Sequence, residues 1–229
     1  MINMSKYRHE LKFTISDNQA EILKTRLDLV LDKDKNGYFE DGSYLIKSLY
    51  FDDIESSSYY EKQDGVLYRK KYRIRMYNDD DKYIRLEAKL KHNMLTSKKQ
   101  TLISKEVYSK IINGNIKDVK TDDKLLLEFL NDIRTKHLIP SVIVEYHRLA
   151  YIYPVSEVRI TFDSHIKSGL YNYELFDKKR PSYEVLDDGY QVLEVKFNEI
   201  LPLHIATILG TVPLCREAVS KFAKCRSIK

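Results

Sequence analysis

The chain has 229 residues with a formal net charge of +5, 43% hydrophobic and 32% charged residues, 18 Tyr, 8 Phe and no Trp. That composition excludes a disordered or low-complexity chain and supplies enough apolar side chains for a core. The longest uncharged stretch, Ile200 to Cys215, is broken by Pro202, Gly210 and Pro213 and falls short of the roughly 20 apolar residues of a membrane-spanning helix.

In chain order, "HELKF" reads as a strand, with His9, Leu11 and Phe13 opposite Arg8, Glu10 and Lys12. Ser16 and Gln19 form a capping box that opens a helix through Ala20, Leu23, Leu27 and Val30. A loop, "KDKNGYFEDGSY", leads into the strand "LIKSLYFDD", and a short helix is expected from Glu55 to about Gln63. "YRKKYRIRMYNDDDKYIRLEAKLK" then predicts a hairpin turning at Asn78 to Asp81. "SKKQTLIS" continues the strands, a helix follows over Lys105 to Ile112, and Asn113-Gly114-Asn115 breaks it. An amphipathic helix is expected from about Asp122 through Leu130. A second hairpin, "SVIVEYHRLAYIY" and "EVRITFD", turns near Pro154; "YQVLEVKFNE" is a further strand, and the remainder is helical around Pro202 and Pro213. With no linker and no internal repeat, the expectation is one α+β domain over 1–229, dominated by antiparallel hairpins.

The strands carry an uneven charge. On the polar faces of the five clearest ones stand eleven basic positions (Arg8, Lys12, Arg69, Lys71, Arg73, Arg75, Arg85, Lys89, Lys91, Arg159 and Lys196). Four acidic positions accompany them (Glu10, Glu87, Asp163 and Glu194), an excess of +7 against +5 for the whole chain. A solvated outer face is the ordinary meaning of such alternation, but exposed sheets mix signs and avoid like-charge neighbours. A barrel accounts for the bias: apolar faces pack outward against helices while Arg and Lys line a wet lumen, which draws in an extended polyanion. Carboxylates inside such a lumen are candidates for a divalent cation.

Eight motifs in order, "YRHELKF", "SLYFDD", "YRIRMY", "IRLEAK", "EYHRLAY", "VRITFD", "LEVKF" and "VSKFAKC", make the chain resemble the catalytic domain of the vacuolar transporter chaperone (VTC) polyphosphate polymerases and their bacterial relatives. These belong to the triphosphate tunnel metalloenzyme superfamily. The resemblance implies an antiparallel β-barrel tunnel with helices outside. It also implies transfer of the γ-phosphoryl of ATP to a growing polyphosphate chain with Mn²⁺ or Mg²⁺. By motif match, Lys12 is the tunnel lysine of the first strand, Arg73 and Arg75 are the phosphate-gripping pair, and Lys89 is the lysine of the next strand. Arg148 and Arg159 are the arginines of the later hairpin, Glu194 is the metal-binding glutamate, and Lys221 is the lysine of the C-terminal helix. A further basic position falls at Lys98 or Lys99.

Arginine forks phosphate oxygens bidentately and stays charged, which suits phosphoryl transfer, a reaction that asks mainly for alignment and neutralisation. Glu10 and Glu87 either assist Glu194 with the metal or neutralise neighbouring cations; Lys196 either contacts phosphate or pairs with Glu194. The parity of Arg148 places it with Val142, Val144 and Tyr146, which requires either a partly apolar lumen wall or a bulge.

The alternatives are a tunnel triphosphatase and a non-catalytic polyphosphate-binding module. No nucleic-acid partner is expected, nor is any histidine nominated as a ligand: His9 and His204 are expected to be structural. No P-loop, GxSxG or Cys/His nucleophile pair occurs. Cys215 and Cys225 are expected as reduced thiols, and the N-terminus shows no secretory signal, so the expected location is cytoplasmic. The sensing domain and membrane segments of the eukaryotic polymerase assemblies are not found in this sequence; a separate membrane protein partner is compatible with it.

Overall fold

Period-two alternation along most of the strands is what builds the molecule, a computed structural model that describes residues 8–93, 95–169 and 172–228. Tyr7 of the first motif lies outside them. The elements are β1 (His9–Ser16), α1 (Asp17–Leu27), β2 (Asp32–Lys33), β3 (Tyr44–Asp52), α2 (Ser57–Gln63) and β4 (Tyr68–Tyr77). Then come β5 (Ile84–His92), β6 (Leu95–Ile103), α3 (Lys105–Ile112), α4 (Lys124–Thr135) and β7 (Ile139–Tyr153). The chain finishes with β8 (Val158–Gly169), β9 (Tyr183–Glu184), β10 (Tyr190–Phe197), α5 (Leu203–Leu209) and α6 (Lys221–Ser227).

The strands form one antiparallel sheet in the order β1-β10-β8-β7-β3-β4-β5-β6, with β2 added to β7 and β9 to β8. It curls until its two edges meet at one bridge, Arg8 to Thr96. The barrel expected from the sequence is therefore an α+β tunnel joined at a point along its seam, not by a full ladder.

The outward faces are apolar and covered. Phe13, Ile160, Phe162, Leu193 and Val195 pack with Ala20, Leu23 and Leu27 of α1 and Ile205 and Leu209 of α5. Ile74, Leu86 and Ala88 pack with Tyr108 of α3 and Phe129 of α4. The capping box at α1 is present, with the Gln19 amide donating to Ser16 Oγ and the Ser16 amide donating to Gln19 Oε1. α1 ends at Leu27, short of Val30, and α4 runs on to Thr135, past the expected Leu130. Among the described residues no helix is long and apolar enough to cross a membrane.

The C-terminal helix departs from the expected pattern. α6 packs against the inner face of the sheet, not its outside: Phe222 and Cys225 are buried with Ile46, Val142, Val144, Ile166 and Val192. It lies beside α2 at the end of the barrel opposite the β4–β5 turn, and this end is called the rear below. The first alternative for Arg148 is realised, since it keeps the inward parity of Val142, Val144 and Tyr146 on β7. The wall beside it is apolar where α6 sits, and a register shift falls between Glu145 and His147 of the β7–β8 ladder. The extra residue is on β8, where His165 has φ 49°. Asp163 keeps the inward parity of Arg159, and beyond the bulge the parity of β8 flips, so Ile166 and Ser168 also turn inward, toward α6; Ser168 Oγ donates to the Cys225 carbonyl at 2.8 Å. Both cysteines are free thiols, and burial pushes the Cys225 thiol up to about 12. Phe222 lines the cavity at the rear, 3% exposed and packed on Tyr50. Phe222→Ala is expected to cost about 3–5 kcal/mol, read as a lower urea midpoint at unchanged m.

Candidate active site

A cavity of about 1760 Å³ occupies the inside of the curled sheet, its wall carrying fourteen Lys or Arg and seven Asp or Glu. The ladders explain how so many cations come together. On β4 and β5, Arg69 faces Lys91, Lys71 faces Lys89 and Arg75 faces Arg85; the remaining rung of that face sets Arg73 opposite Glu87. On β1 and β10, Lys12 faces Glu194 and Glu10 faces Lys196. The inward parity read from the sequence therefore holds for all of these strands.

Carboxylates are shared among the cations. Lys12 Nζ lies 3.1 Å from Glu10 Oε1 and 3.6 Å from Glu194 Oε1, and Lys89 Nζ reaches Glu10 Oε2 at 3.2 Å. Lys196 and Arg148 approach Glu194 Oε2 at 3.4 and 3.6 Å. Burial opposes the charge of Glu194, but Lys196 and Lys12 outweigh it and hold the carboxyl well below the usual glutamate range. Burial likewise opposes the charge of Lys12, yet Glu194 and Glu10 raise its pKa above that of an ordinary lysine. Lys196 responds differently: burial prevails over Glu194 and pushes it down to about 8.

Across the lumen, Glu87 is fully buried and accepts from Arg73 at 2.6 Å and from Lys98 at 3.1 Å. Both Glu87 oxygens thus meet cations of β4 and β6, a set separate from the Lys12, Lys89, Lys196 and Arg148 that meet Glu10 and Glu194. Lys98 is the inward residue of the pair left open by the sequence; Lys99 sits opposite Ala88 on the other face and reaches Glu128 of α4 at 3.5 Å. Among the described residues no carboxylate is in hydrogen-bond or ion-pair contact with Arg75: its Nε donates to Ser48 Oγ at 2.9 Å and its Nη2 to Tyr146 Oη at 3.2 Å. A guanidinium held only by hydroxyls keeps its full charge for a ligand.

Arg148 grips Asp163 with Nε at 2.6 Å and Nη2 at 2.7 Å, and Lys221 of α6 reaches the same carboxylate at 2.5 Å. Arg159 donates to Asp34 at 2.5 Å and to Tyr44 Oη at 2.9 Å, while Arg73 Nη1 donates to Tyr50 Oη at 2.7 Å. Asp163, Asp34, Tyr44, Tyr50 and Tyr146 were assigned no role from the sequence. Asp163 lay in a quoted motif on the correct face, and the tyrosines share the parity of the lumen residues. Asp34 sits in an irregular loop where no period could reveal it.

The VTC domain model matches residues 7–228. The chain belongs to the VTC domain family. Among curated proteins no sequence match is found. Solved structures resemble this VTC domain in fold alone. An adenylyl cyclase candidate from Hippeastrum, described as having a dominant triphosphatase activity, is 15% identical with a TM-score of 0.54, covering 97% of this chain and 95% of that one. The PH1819 protein of Pyrococcus horikoshii OT3 is 12% identical with a TM-score of 0.50, covering 95% and 97%. An adenylate cyclase candidate from Bacillus halodurans is 14% identical with a TM-score of 0.50, covering 90% and 88%.

Among the described residues no three His, Cys, Asp or Glu side chains are disposed to hold a metal ion. Two carboxylates do converge in the VTC domain, because Glu10 and Glu194 both meet Lys12 Nζ. One or two carboxylates completed by phosphate oxygens and water are the usual holding of Mg²⁺, so this donor set fits a metal that arrives with its phosphate ligand.

The buried carboxylates give the VTC domain a defined acid limit. Burial raises the pKa of Glu87, but Arg73, Arg75 and Lys98 hold it well below the ordinary 4.5. A folded value below the unfolded one contributes stability above the unfolded pKa, and that contribution is lost as pH falls through the folded value. Tm is thus expected to fall progressively as pH drops below 4.5. Glu87→Gln should flatten part of that acid limb and lower stability at neutral pH by about 3 kcal/mol, since it leaves Arg73 uncompensated.

Proposed function

We propose that this protein is a metal-dependent polyphosphate polymerase that transfers the γ-phosphoryl of ATP to a growing polyphosphate chain inside the tunnel. The observation that supports it most is the enclosure of Arg73, Arg75, Arg148 and Arg159 around one cavity that also holds the Glu10–Lys12–Glu194 group, in a chain of the VTC domain family. The fourteen lining cations exceed the seven lining carboxylates even with buried Glu87 and Asp163 added, so the cavity keeps a deficit of negative charge that an extended phosphate chain relieves.

Each residue has work suited to its chemistry. Arg73 and Arg75, fixed by Glu87, Tyr50, Ser48 and Tyr146, present planar donors in set directions. Phosphates bound there would be aligned without reorganising the protein, and such preorganisation is the main catalytic contribution available in phosphoryl transfer. Lys12 and Lys89 bring compact charges to the end of β1 and β5 that faces them, where a transferred phosphoryl would carry its spread negative charge. Lys221 and Arg148 share Asp163 and so tie α6 to the tunnel wall. A bound Mn²⁺ or Mg²⁺ would rest on Glu194 and Glu10 and would neutralise phosphate oxygens there.

Hydrolysis of a triphosphate uses the same alignment with water in place of the chain end, and the triphosphatase activity described for the Hippeastrum protein of like fold makes this the second reading. Phosphorus NMR of the protein with ATP and Mn²⁺ is expected to show a growing internal-phosphate signal. Arg75→Ala and Glu194→Gln should each slow its growth by about 10²-fold or more, the usual cost of losing a preorganised charge contact. Orthophosphate and pyrophosphate released from tripolyphosphate, with no longer chain formed, would establish hydrolysis. Unchanged polymer yield in both variants would remove this cavity from the reaction.

A further inference from the structure

Among the described residues, most cations of the front and middle of the tunnel, Arg75 and Arg85 apart, have a carboxylate partner, but those at the rear do not. Lys62 of α2 and Lys91 of β5 have no hydrogen bond or ion pair among the described residues, and Lys71 of β4 touches only the Phe222 ring, 4.1 Å from its centroid. Arg69, 9% exposed, donates at 3.1 Å to the Glu61 backbone carbonyl and to no side chain. These four side chains are neighbours by construction. Arg69 and Lys91 are one rung of the β4–β5 ladder, Lys71 is the next inward residue of β4, and Lys62 follows the Glu61 carbonyl that Arg69 holds.

Three carboxylates in reach offer little relief. Glu61 attracts Arg69 and Lys71 through space, but its side chain makes no hydrogen bond or ion pair with them among the described residues. Asp52 oxygens accept from the amides of Ser58 and Tyr59 at the start of α2, and Glu10 already serves Lys12 and Lys89. Burial, followed by Arg69, lowers Lys71 to about 7, and the same two causes lower Lys62 and Lys91. Lys71 lines the main cavity, and Lys62 lines a second cavity of about 280 Å³ behind it; Ser220 borders both. Holding four basic groups adjacent, two of them largely out of water and none in hydrogen-bond contact with a carboxylate, is costly, and an anion that completed the cluster would relieve that cost. Ordinary solvated lysines would splay apart, whereas here the strand ladder and α2 hold them together.

We propose that Lys62, Arg69, Lys71 and Lys91 form a second phosphate-binding subsite at the rear of the tunnel, which holds phosphates of a condensed inorganic phosphate chain beyond those gripped by Arg73 and Arg75. It rests on the reading of the tunnel as a polyphosphate site and makes that site selective for length. A triphosphate fills the front group alone; a longer chain reaches the rear group as well and gains its charge-assisted contacts.

Calorimetric titration with tripolyphosphate and with long-chain polyphosphate, at one fixed salt concentration, tests this. The double variant Lys62→Gln/Lys91→Gln is compared with Lys117→Gln/Lys120→Gln, which removes the same charge from an exposed segment. The rear variant should weaken long-chain binding by about tenfold or more and tripolyphosphate binding by no more than about twofold, as two charge-assisted contacts are lost to the longer ligand only. The control should change the two ligands alike. Equal losses for both lengths in the rear variant, or no loss, would overturn the subsite while leaving the tunnel's function standing. Failure of the unaltered protein to bind either chain would overturn both.

Discussion

Mutual repulsion inside an enclosure is the constraint on which this structure turns. Three rungs of the β4–β5 ladder set cation against cation, an arrangement that an open sheet avoids because like charges directly opposite destabilise it. Here the arrangement is held by what surrounds it. Ile74, Leu86 and Ala88 on the opposite face are buried against α3 and α4, and slipping the register by one residue to separate the charges would expose all three. Hydrophobic burial on the outside thus pays for electrostatic strain on the inside.

Five carboxylates make the strain tolerable, and each is shared or reinforced. Glu10, Glu87, Glu194 and Asp163 each meet two or more cations, while Asp34 meets Arg159 together with the Tyr44 phenol. Their number stays below that of the cations, which leaves the lumen poised for anions without collapsing when none is bound. Buried pairs of this kind add little net stability, because desolvation offsets attraction. What they contribute is direction: Arg148 gripped by Asp163 and Arg73 gripped by Glu87 have few orientations left. Tyr44, Tyr50 and Tyr146 extend that control without neutralising the arginines they touch.

The VTC domain and the solved structures of like fold share barely one residue in seven, yet the same curled sheet recurs. A fold of this type depends on a pattern, inward charge and outward hydrocarbon at period two, more than on particular residues. Chemistry depends on the opposite, a few side chains at fixed positions, and so fold likeness by itself leaves the reaction open.

Strand parity was legible in the sequence along β1, β4, β5, β10 and the first half of β8, because a strand's alternation is local, and Arg73, Arg75, Glu87, Lys89, Arg159 and Glu194 all follow from it. The outward cores followed too, since the apolar halves of the same strands had to be covered. Whether Lys98 or Lys99 turns inward could not be read, as both are lysines in a polar strand and only the pairing of Lys98 with Lys89 across the ladder decides. The position of α6 was equally hidden. Its seven residues look the same whether they pack outside the barrel or into its end, and the deciding partners, Val142, Val144 and Ile166, lie more than fifty residues away in sequence. Asp34 joins the site from a loop for the same reason. Local periodicity dictates which way a side chain points, but which charges meet, and which end of the tunnel α6 packs into, depends on distant segments brought together by the curl of the sheet.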